Sequence, residues 1–517
     1  MKTKANYSCG TALLAGLLLV AQSGAAAAKY EQNLEKSFST TPGGKLVVQV
    51  QRGSIEVRPD GGGKTEVHVF RQVKGGSKEE ADRLFAAHEV AFQQDGNTIS
   101  VIEKSKKDRS WWRGIRQPNL EVRYQISIPI KYDVDLETSG GDIRLHDLDG
   151  NASMRTSSGS INAGKITGTV EARNSGGDII IQEAGGRAVT QTSSGSIAVT
   201  KANGKLEASN SGGDIHVEDA GEDAVLRTSS GSITITAARG SVDARNSGGD
   251  IKIGSAAGKV AVETSSGSIH LGAIKAESVS AKNSGGSIDI VEAEGSVFAQ
   301  TSSGGINIKA ARGKVEAKDS GGDIVIGEAG SEVAAQTSSG SIRIKSAKGQ
   351  IEVSNSGGNI SVGDAGAGTI VRTSSGSIHV GLAKGKLEAR NSGGDIVVGD
   401  ARDIVIADTS SGTIAVNFST APKAESRLSV SGGDIKASLP EFAAVNVDAR
   451  SSGGEVRTEL SSPMTEREQK QGLLRGKLNG GGPSLVLRSS SGDIRLNKSA
   501  VAMVTPEAEE SGRPKQR

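Results

Sequence analysis

From Thr138 to about residue 426 the chain repeats with a fixed short period, in two alternating forms. One form reads Thr-Ser-Ser-Gly-Ser-Ile and begins at Thr156, Thr192, Thr228, Thr264, Thr301, Thr337, Thr373 and Thr409, with Gly305 and Thr413 in place of the last Ser in two copies. The other reads Asn-Ser-Gly-Gly-Asp-Ile and begins at Asn174, Asn210, Asn246, Asn283, Asp319, Asn355 and Asn391, preceded by a variant at Thr138. Thr156 to Asn174 and Asn174 to Thr192 are each one 18-residue unit. Only the step from Thr264 to Asn283 departs from this, by one extra residue. Self-similarity at a short fixed period is the mark of a repeat architecture, in which each unit buries its apolar face only against its neighbours.

Numbering each of the sixteen units from its Thr or Asn, position 6 is always Ile. The column includes Ile179, Ile197, Ile215, Ile233, Ile251, Ile269, Ile324 and Ile342, which are the expected core. Position 8 is always apolar, positions 15 and 17 usually are, and position 11 is commonly Ala. Apolar residues two apart give two short strands per unit, each with one face inward. Gly, Ser, Asn and Asp between them turn the chain. No helical period fits. The reading is an all-β chain, a β-solenoid of the parallel β-helix or β-roll kind with about 16 regular 18-residue rungs. At about 4.8 Å per rung the regular part is roughly 77 Å long. Eighteen residues per coil is preferred to 36, because the alanines would underfill a wider coil.

Composition agrees. The chain has 71 Gly, 3% aromatic residues and 35% hydrophobic residues, below the usual apolar share of about 45–50%. That disfavours wide globular cores and, with them, a conventional multidomain enzyme. Residues 1–28 read as an export signal: Lys2 and Lys4, an apolar run from Ala12 to Val20, then small residues Ala25–Ala28. The run is too short for a bilayer span, which takes about 20 residues, and no transmembrane span is expected elsewhere. Cys9, the only cysteine, falls inside this segment, so no disulfide is expected beyond it. Of the 61 Lys and Arg, Lys2 and Lys4 fall within it too, leaving 59 bases against 59 acids. Nucleic acid is therefore not an expected partner.

The remaining divisions follow. Residues 29–137 form an N-terminal α+β cap, with a first rung at Gly53–Val57 and a short helix opened by the capping box Ser77-Lys78-Glu79-Glu80 and running to about Phe92. Residues 138–426 are the regular solenoid. Residues 427–497 keep the signature at irregular spacing, as at Gly432–Ile435, Gly453–Val456 and Ser491–Ile494. Residues 498–517 read as a disordered tail.

Gly53 to Val57, the charged stretch Glu79-Glu80-Ala81, Ile128-Pro129 leading into Gly-Asp-Ile repeats, and Leu439–Phe442 followed by Ser452–Val456 together resemble the bacterial "putative adhesin" domain family of unknown function. The resemblance spans roughly residues 40–497. It implies exported or surface-facing proteins with Gly-Asp/Ser-Ile-x-Val rungs, and it carries no catalytic or binding residue across.

Candidate chemistry is sparse. Aspartates at position 5 (Asp142, Asp178, Asp214, Asp250, Asp323, Asp395) suggest a calcium ladder, but Ser287 and Asn359 interrupt it. Alternate rungs also place the carboxylates about 9.6 Å apart, too far to share one ion. Turn residues bonding their own backbone are preferred, and no cofactor is expected. The Thr and Ser columns read as a hydroxyl ladder serving turn backbone groups, ahead of a ligand-binding face. The six histidines (His68, His88, His146, His216, His270, His379) lack metal spacing. No nucleophile elbow, phosphate loop or zinc motif is present. Trp111, Trp112 and Arg113, among several bases, are the one aromatic concentration. They read as a cap loop, with surface contact to a glycan or anionic surface as the second reading. The functional expectation is an exported, non-enzymatic, adhesin-like or scaffold protein at the cell envelope, periplasmic or outside. Its partner would be an envelope glycan or a protein. A signalling accessory binding one protein, and a carbohydrate-active enzyme, stand as alternatives. Unpaired strand edges at the rod ends add end-to-end self-association.

Overall fold

A computed structural model describes residues 29–104 and 120–499. The export signal, the Trp111–Arg113 segment and the tail beyond Ser499 lie outside the described residues.

Nearly all of it is strand. The chain opens with β1 (Lys29–Ser39), β2 (Gly44–Val50), β3 (Ser54–Asp60) and β4 (Lys64–Lys74). Helix α1 (Lys78–Ala87), β5 (Val90–Asp95), β6 (Thr98–Glu103), β7 (Leu120–Pro129), β8 (Tyr132–Thr138) and β9 (Ile143–Leu145) follow. From β10 (Ala152–Arg155) to β39 (Ile414–Phe418) each unit contributes two strands, one to each of two sheets. The chain closes with β40 (Ser426–Gly432), β41 (Ile435–Leu439), β42 (Val445–Ser451), β43 (Val456–Thr458), β44 (Met464–Lys470), β45 (Leu473–Leu478), β46 (Ser484–Ser489) and β47 (Ile494–Lys498).

In the repeat, every strand lies parallel to the equivalent strand of the preceding unit and in register with it, apart from a shift after Val398 where β39 pairs. Ile161 pairs with Ile179, and Ile179 with Ile197. One coil is therefore one 18-residue unit, and the two forms stack alternately. Positions 6, 8 and 11 of one sheet and 15 and 17 of the other face inward. Each of the eight core isoleucines named above has no exposed surface. They belong to one continuous hydrophobic cluster running from Leu46 to Leu496.

At the N-terminal end the coils do not stack in chain order. Coil β2/β3 lies between coil β6/β7, which comes later in the chain, and coil β8/β9. Gly53–Val57 is a rung, as expected, but the outermost parallel coil is β6/β7. Antiparallel β4 and then β1 extend one sheet beyond it, and antiparallel β5 extends the other. The C-terminal end does the same. Coil β46/β47 inserts between β40/β41 and β42/β43, and antiparallel β45 and β44 extend one sheet. The irregular spacing beyond residue 426 is this insertion: Ile435 stacks on Ile494, and Ile494 on Val456.

Helix α1 begins as the capping box requires, with Ser77 Oγ accepting the Glu80 N–H. It is shorter than expected, ending at Ala87. The stretch Val90–Asp95, read in part as helix from the sequence, pairs antiparallel with β6. The helix stops because the Arg71 guanidinium donates to the Phe85 and His88 carbonyls at 2.9 and 2.6 Å, capping its last turn.

Candidate binding surface

The corner leading from one sheet to the other, positions 1 to 5, carries the most regular chemistry. Position 1 points inward and is buried in every unit, so its polar group needs a partner. Except at Asp319, it finds the position-4 glycine carbonyl of the coil before. Thr156 Oγ1 donates to Gly141 at 2.8 Å, and Asn174 Nδ2 to Gly159 at 2.6 Å. The asparagines also accept from their own turn, as Asn174 Oδ1 does from Gly176 N–H. Position 4 must be glycine, because a Cβ on Gly195 would overlap the Gly177 carbonyl directly beneath. The hydroxyl ladder serving backbone groups is thus what the Thr column makes.

The aspartates at position 5 also serve backbone, though not their own. Asp142 Oδ1 accepts the Ser160 N–H of the next coil at 2.8 Å, and Asp178 Oδ1 that of Ser196. This explains the alternation of forms. Identical carboxylates on adjacent in-register strands would face one another directly, which destabilises a sheet. Ser or Gly on every second coil separates them. Among the described residues, no group of three or more His, Asp or Glu is placed to hold a metal.

Position 2 is different. It is Ser in all sixteen units, from Ser139 and Ser157 to Ser392 and Ser410, and exposed in all of them. The corner's backbone is served by positions 1 and 5 instead. Elsewhere on the surface the units have diverged: position 7 runs Arg144, Asn162, Ile180, Ala198, His216. Next to the serines, position 18 carries Arg155, Arg173, Arg227, Arg245, Arg372 and Arg390. Pairs of these share one acid from position 16. Arg155 and Arg173 reach Glu171 at 3.0 and 3.1 Å, and Arg372 and Arg390 reach Glu388 at 3.9 and 3.0 Å. Arg372 also reaches Glu352 at 3.6 Å, and Arg155 lies near Asp135 and Glu137, so these arginines are matched by acids beside the serine column.

Two grooves follow this same corner. One, of about 990 Å³, lies at the N-terminal end beside Leu120 and includes Gly53, Ser139 and Ser158. Within it Lys74 and Arg123 hold the Glu121 carboxyl down at about 2. The other, of about 610 Å³, is lined by Arg372, Arg390, Arg488, Ser392, Ser410 and Ser490 at the far end.

A buried polar cluster under α1 was missed from the sequence. Arg71, on the inner face of β4, is only 4% exposed, and His88 5%. Arg71 also donates to Gln32 Oε1, and His88 Nε2 lies 3.1 Å from the Tyr124 hydroxyl. The Glu103 carboxylate accepts the Gln51 and Arg52 N–H groups. Burial pushes the His88 imidazole below its usual 6.5; the Glu103 carboxylate pulls it back up and Arg71 pushes it down again. Burial raises the Tyr124 phenol, and Glu103 adds to this. One signal was readable: Arg71 interrupts the apolar alternation of Val67, Val69 and Val73.

The other histidines do not converge. His146 meets Glu56 at 3.3 Å and His68 meets Glu35 at 3.5 Å, both on the surface. No helix among the described residues is long and apolar enough to cross a membrane.

Coil geometry and corner chemistry together define a two-sheet parallel β-solenoid with swapped ends. Residues 44–255, 237–367 and 365–497 each match the Toastrack DUF4097 family, and the chain belongs to it. Three solved structures are similar. A putative adhesin from Bacteroides fragilis is 16% identical, with TM-score 0.20, covering 56% of this chain and 97% of its own. A putative cell adhesion protein from Clostridium sporogenes is 12% identical, with TM-score 0.20, covering 43% and 100%. A putative lipid binding protein from Parabacteroides distasonis is 15% identical, with TM-score 0.20, covering 63% and 93%. No curated protein matches the chain.

Proposed function

We propose that this is an exported, non-enzymatic, adhesin-like protein that binds a glycan of the cell envelope along its serine corner. The single observation supporting this is the exposed serine at position 2 in all sixteen units, kept in both forms where position 3 alternates between Ser and Gly and the strand position 7 has diverged. Hydroxyls about 4.8 Å apart along a stiff rod match a long ligand that also carries a repeat. Each contact is weak, and the sum is strong through multivalency. Residues 1–28 direct export, and cleavage after Ala28 leaves Lys29, the start of β1, as the first residue. Trp111, Trp112 and Arg113 add a further contact to the same ligand.

The test replaces serine by alanine at position 2 in eight consecutive units, Ser193 through Ser320, and measures retention on purified envelope polysaccharide. The expected result is an unchanged melting temperature with binding reduced at least tenfold. Undiminished retention on the polysaccharide overturns the reading, and so does retention by a single envelope protein instead.

A further inference from the structure

The two sheets have four edges, and they are not equally protected. At the C-terminal end β43 is three residues long. The other edge there, β44, is broken by a register shift between Thr465 and Glu468, with Glu466 at φ +53°, and carries Glu466, Arg467, Glu468 and Lys470. Short length, a bulge and dense charge are the devices that keep edges from pairing. At the N-terminal end β5 has six residues and sits one strand short of β1, because two antiparallel strands extend the β1 sheet and one extends the other. Strand β1 has neither short length nor a bulge, and its four charges, Lys29, Glu31, Glu35 and Lys36, are spread over eleven residues. It runs eleven residues without a bulge, from Lys29 opposite Lys74 to Ser39 opposite Lys64, and it contains no proline. Among the described residues it pairs with β4 alone.

We propose that β1 pairs antiparallel with β1 of a second copy, forming a closed two-fold dimer in which one sheet runs unbroken through both molecules. The choice of a second copy rests on the sequence of the strand. A two-fold antiparallel pair sets one residue opposite its own counterpart. Leu34 is the middle residue of Lys29–Ser39, so centring there pairs all eleven residues. On the inner face that register puts Leu34 opposite Leu34 and Tyr30 opposite Phe38. All three are half-buried against the hydrophobic clusters already, and a partner strand would complete their burial. It also sets Gln32 opposite Lys36. On the outer face Glu31 meets Ser37, Asn33 meets Glu35, and Lys29 meets Ser39. No like charges face each other. Moving the centre to Asn33 sets Glu31 against Glu35 twice; moving it to Glu35 or Lys36 sets each charge against itself. Such pairs weaken a sheet. Centring on Gln32 avoids that but leaves Lys36–Ser39 unpaired. Because the C-terminal edges are blocked, association closes at two copies and does not propagate into a filament. This inference is independent of the serine corner.

Sedimentation equilibrium of the purified protein across a concentration series is the test, with two exposed substitutions that leave the inner face alone. Asn33→Glu places a carboxylate opposite Glu35 at both symmetry-related sites and is expected to weaken the dimer roughly tenfold. Asn33→Lys places an ammonium there and is expected to tighten it by about as much. Leu34→Cys is expected to give a covalent dimer on oxidation, while Lys36→Cys, facing Gln32, is not. A monomer at every concentration overturns the proposal. So does a filament, which needs a second edge, and so does a dimer indifferent to both Asn33 variants, which uses another surface.

Discussion

Along the body of the rod, from β9 to β39, each strand rests on its predecessor in the chain; at the two ends that order is exchanged. In the body a coil is held by the coil before it and the coil after it, and the chain steps once per unit. At each end the terminal coil of the sequence, β2/β3 or β46/β47, is not the last of the stack. It has hydrogen-bonded neighbours on both sides, and antiparallel strands lie outside it. A stack closed in simple chain order would present its first and last coils to water, with ladder bonds on one side only, and those coils would fray. Exchange removes the weak position from the terminal coil, although at the N-terminal end the strand β1 still lies outermost. The body therefore draws stability from repetition, and the ends from threading.

If that contrast holds, deleting residues 484–499 should do the most damage. It removes the middle of a three-coil sandwich, and β42 to β45 are expected to become protease-sensitive together, read by limited proteolysis with mass spectrometry. Replacing Arg71 by Met comes next. Two helix carbonyls and Gln32 lose a charged, buried donor, at a cost of about 3 kcal/mol confined to the N-terminal end. Hydrogen exchange should rise in α1 and β5 and stay unchanged in the body strands between Ile233 and Ala347.

Acidification should also reach the N-terminal end first. The folded pKa of His88 lies below its unfolded value near 6.5. The unfolded chain thus takes up the proton first, and the stability that neutral His88 contributes is lost as pH falls below about 6.5. His88→Gln should flatten this dependence in melts between pH 7 and pH 5; an identical slope would remove His88 as its cause. A smaller, opposite effect is expected at Asp319. It stands where seven other coils of the sister form have Asn or, once, Thr, and its Oδ2 is buried without a partner. Asn355, its counterpart two coils on, donates to Gly340 at 2.7 Å. Asp319→Asn should raise stability by about 1–2 kcal/mol in urea titration. The smallest effect belongs to the body: excising residues 192–227, two whole units, rejoins Gln191 to Thr228 in phase. Melting should scarcely move, and a large drop would mean that the body is not the sum of interchangeable coils.

The body was legible because every coil solves the same problem with the same residues. Ile at position 6 and an apolar residue at 8 announce a strand face. Gly, Ser, Asn and Asp between the strands announce the turns, but that position-5 Asp serves the next coil's backbone and not its own was not readable from them. Even the coil length followed from alanine volumes. The candidate surface was half legible: the Ser column was visible in the repeat, but which of positions 1, 2 and 5 faces water was not. Thr156 and Ser157 are adjacent hydroxyl residues with opposite fates, buried and exposed, because the chain turns between them.

What the residues alone determined was the coil, since local periodicity, glycine spacing and side-chain volume act within one unit and then again on the next. What only the tertiary structure decided was the order of the coils at each end, the meeting of Arg71, His88 and Tyr124, and which strand is left as an open edge among the described residues. Those depend on pairings between segments far apart in the chain. Any β-strand with the right inward face competes for such pairings equally well until the whole stack is assembled.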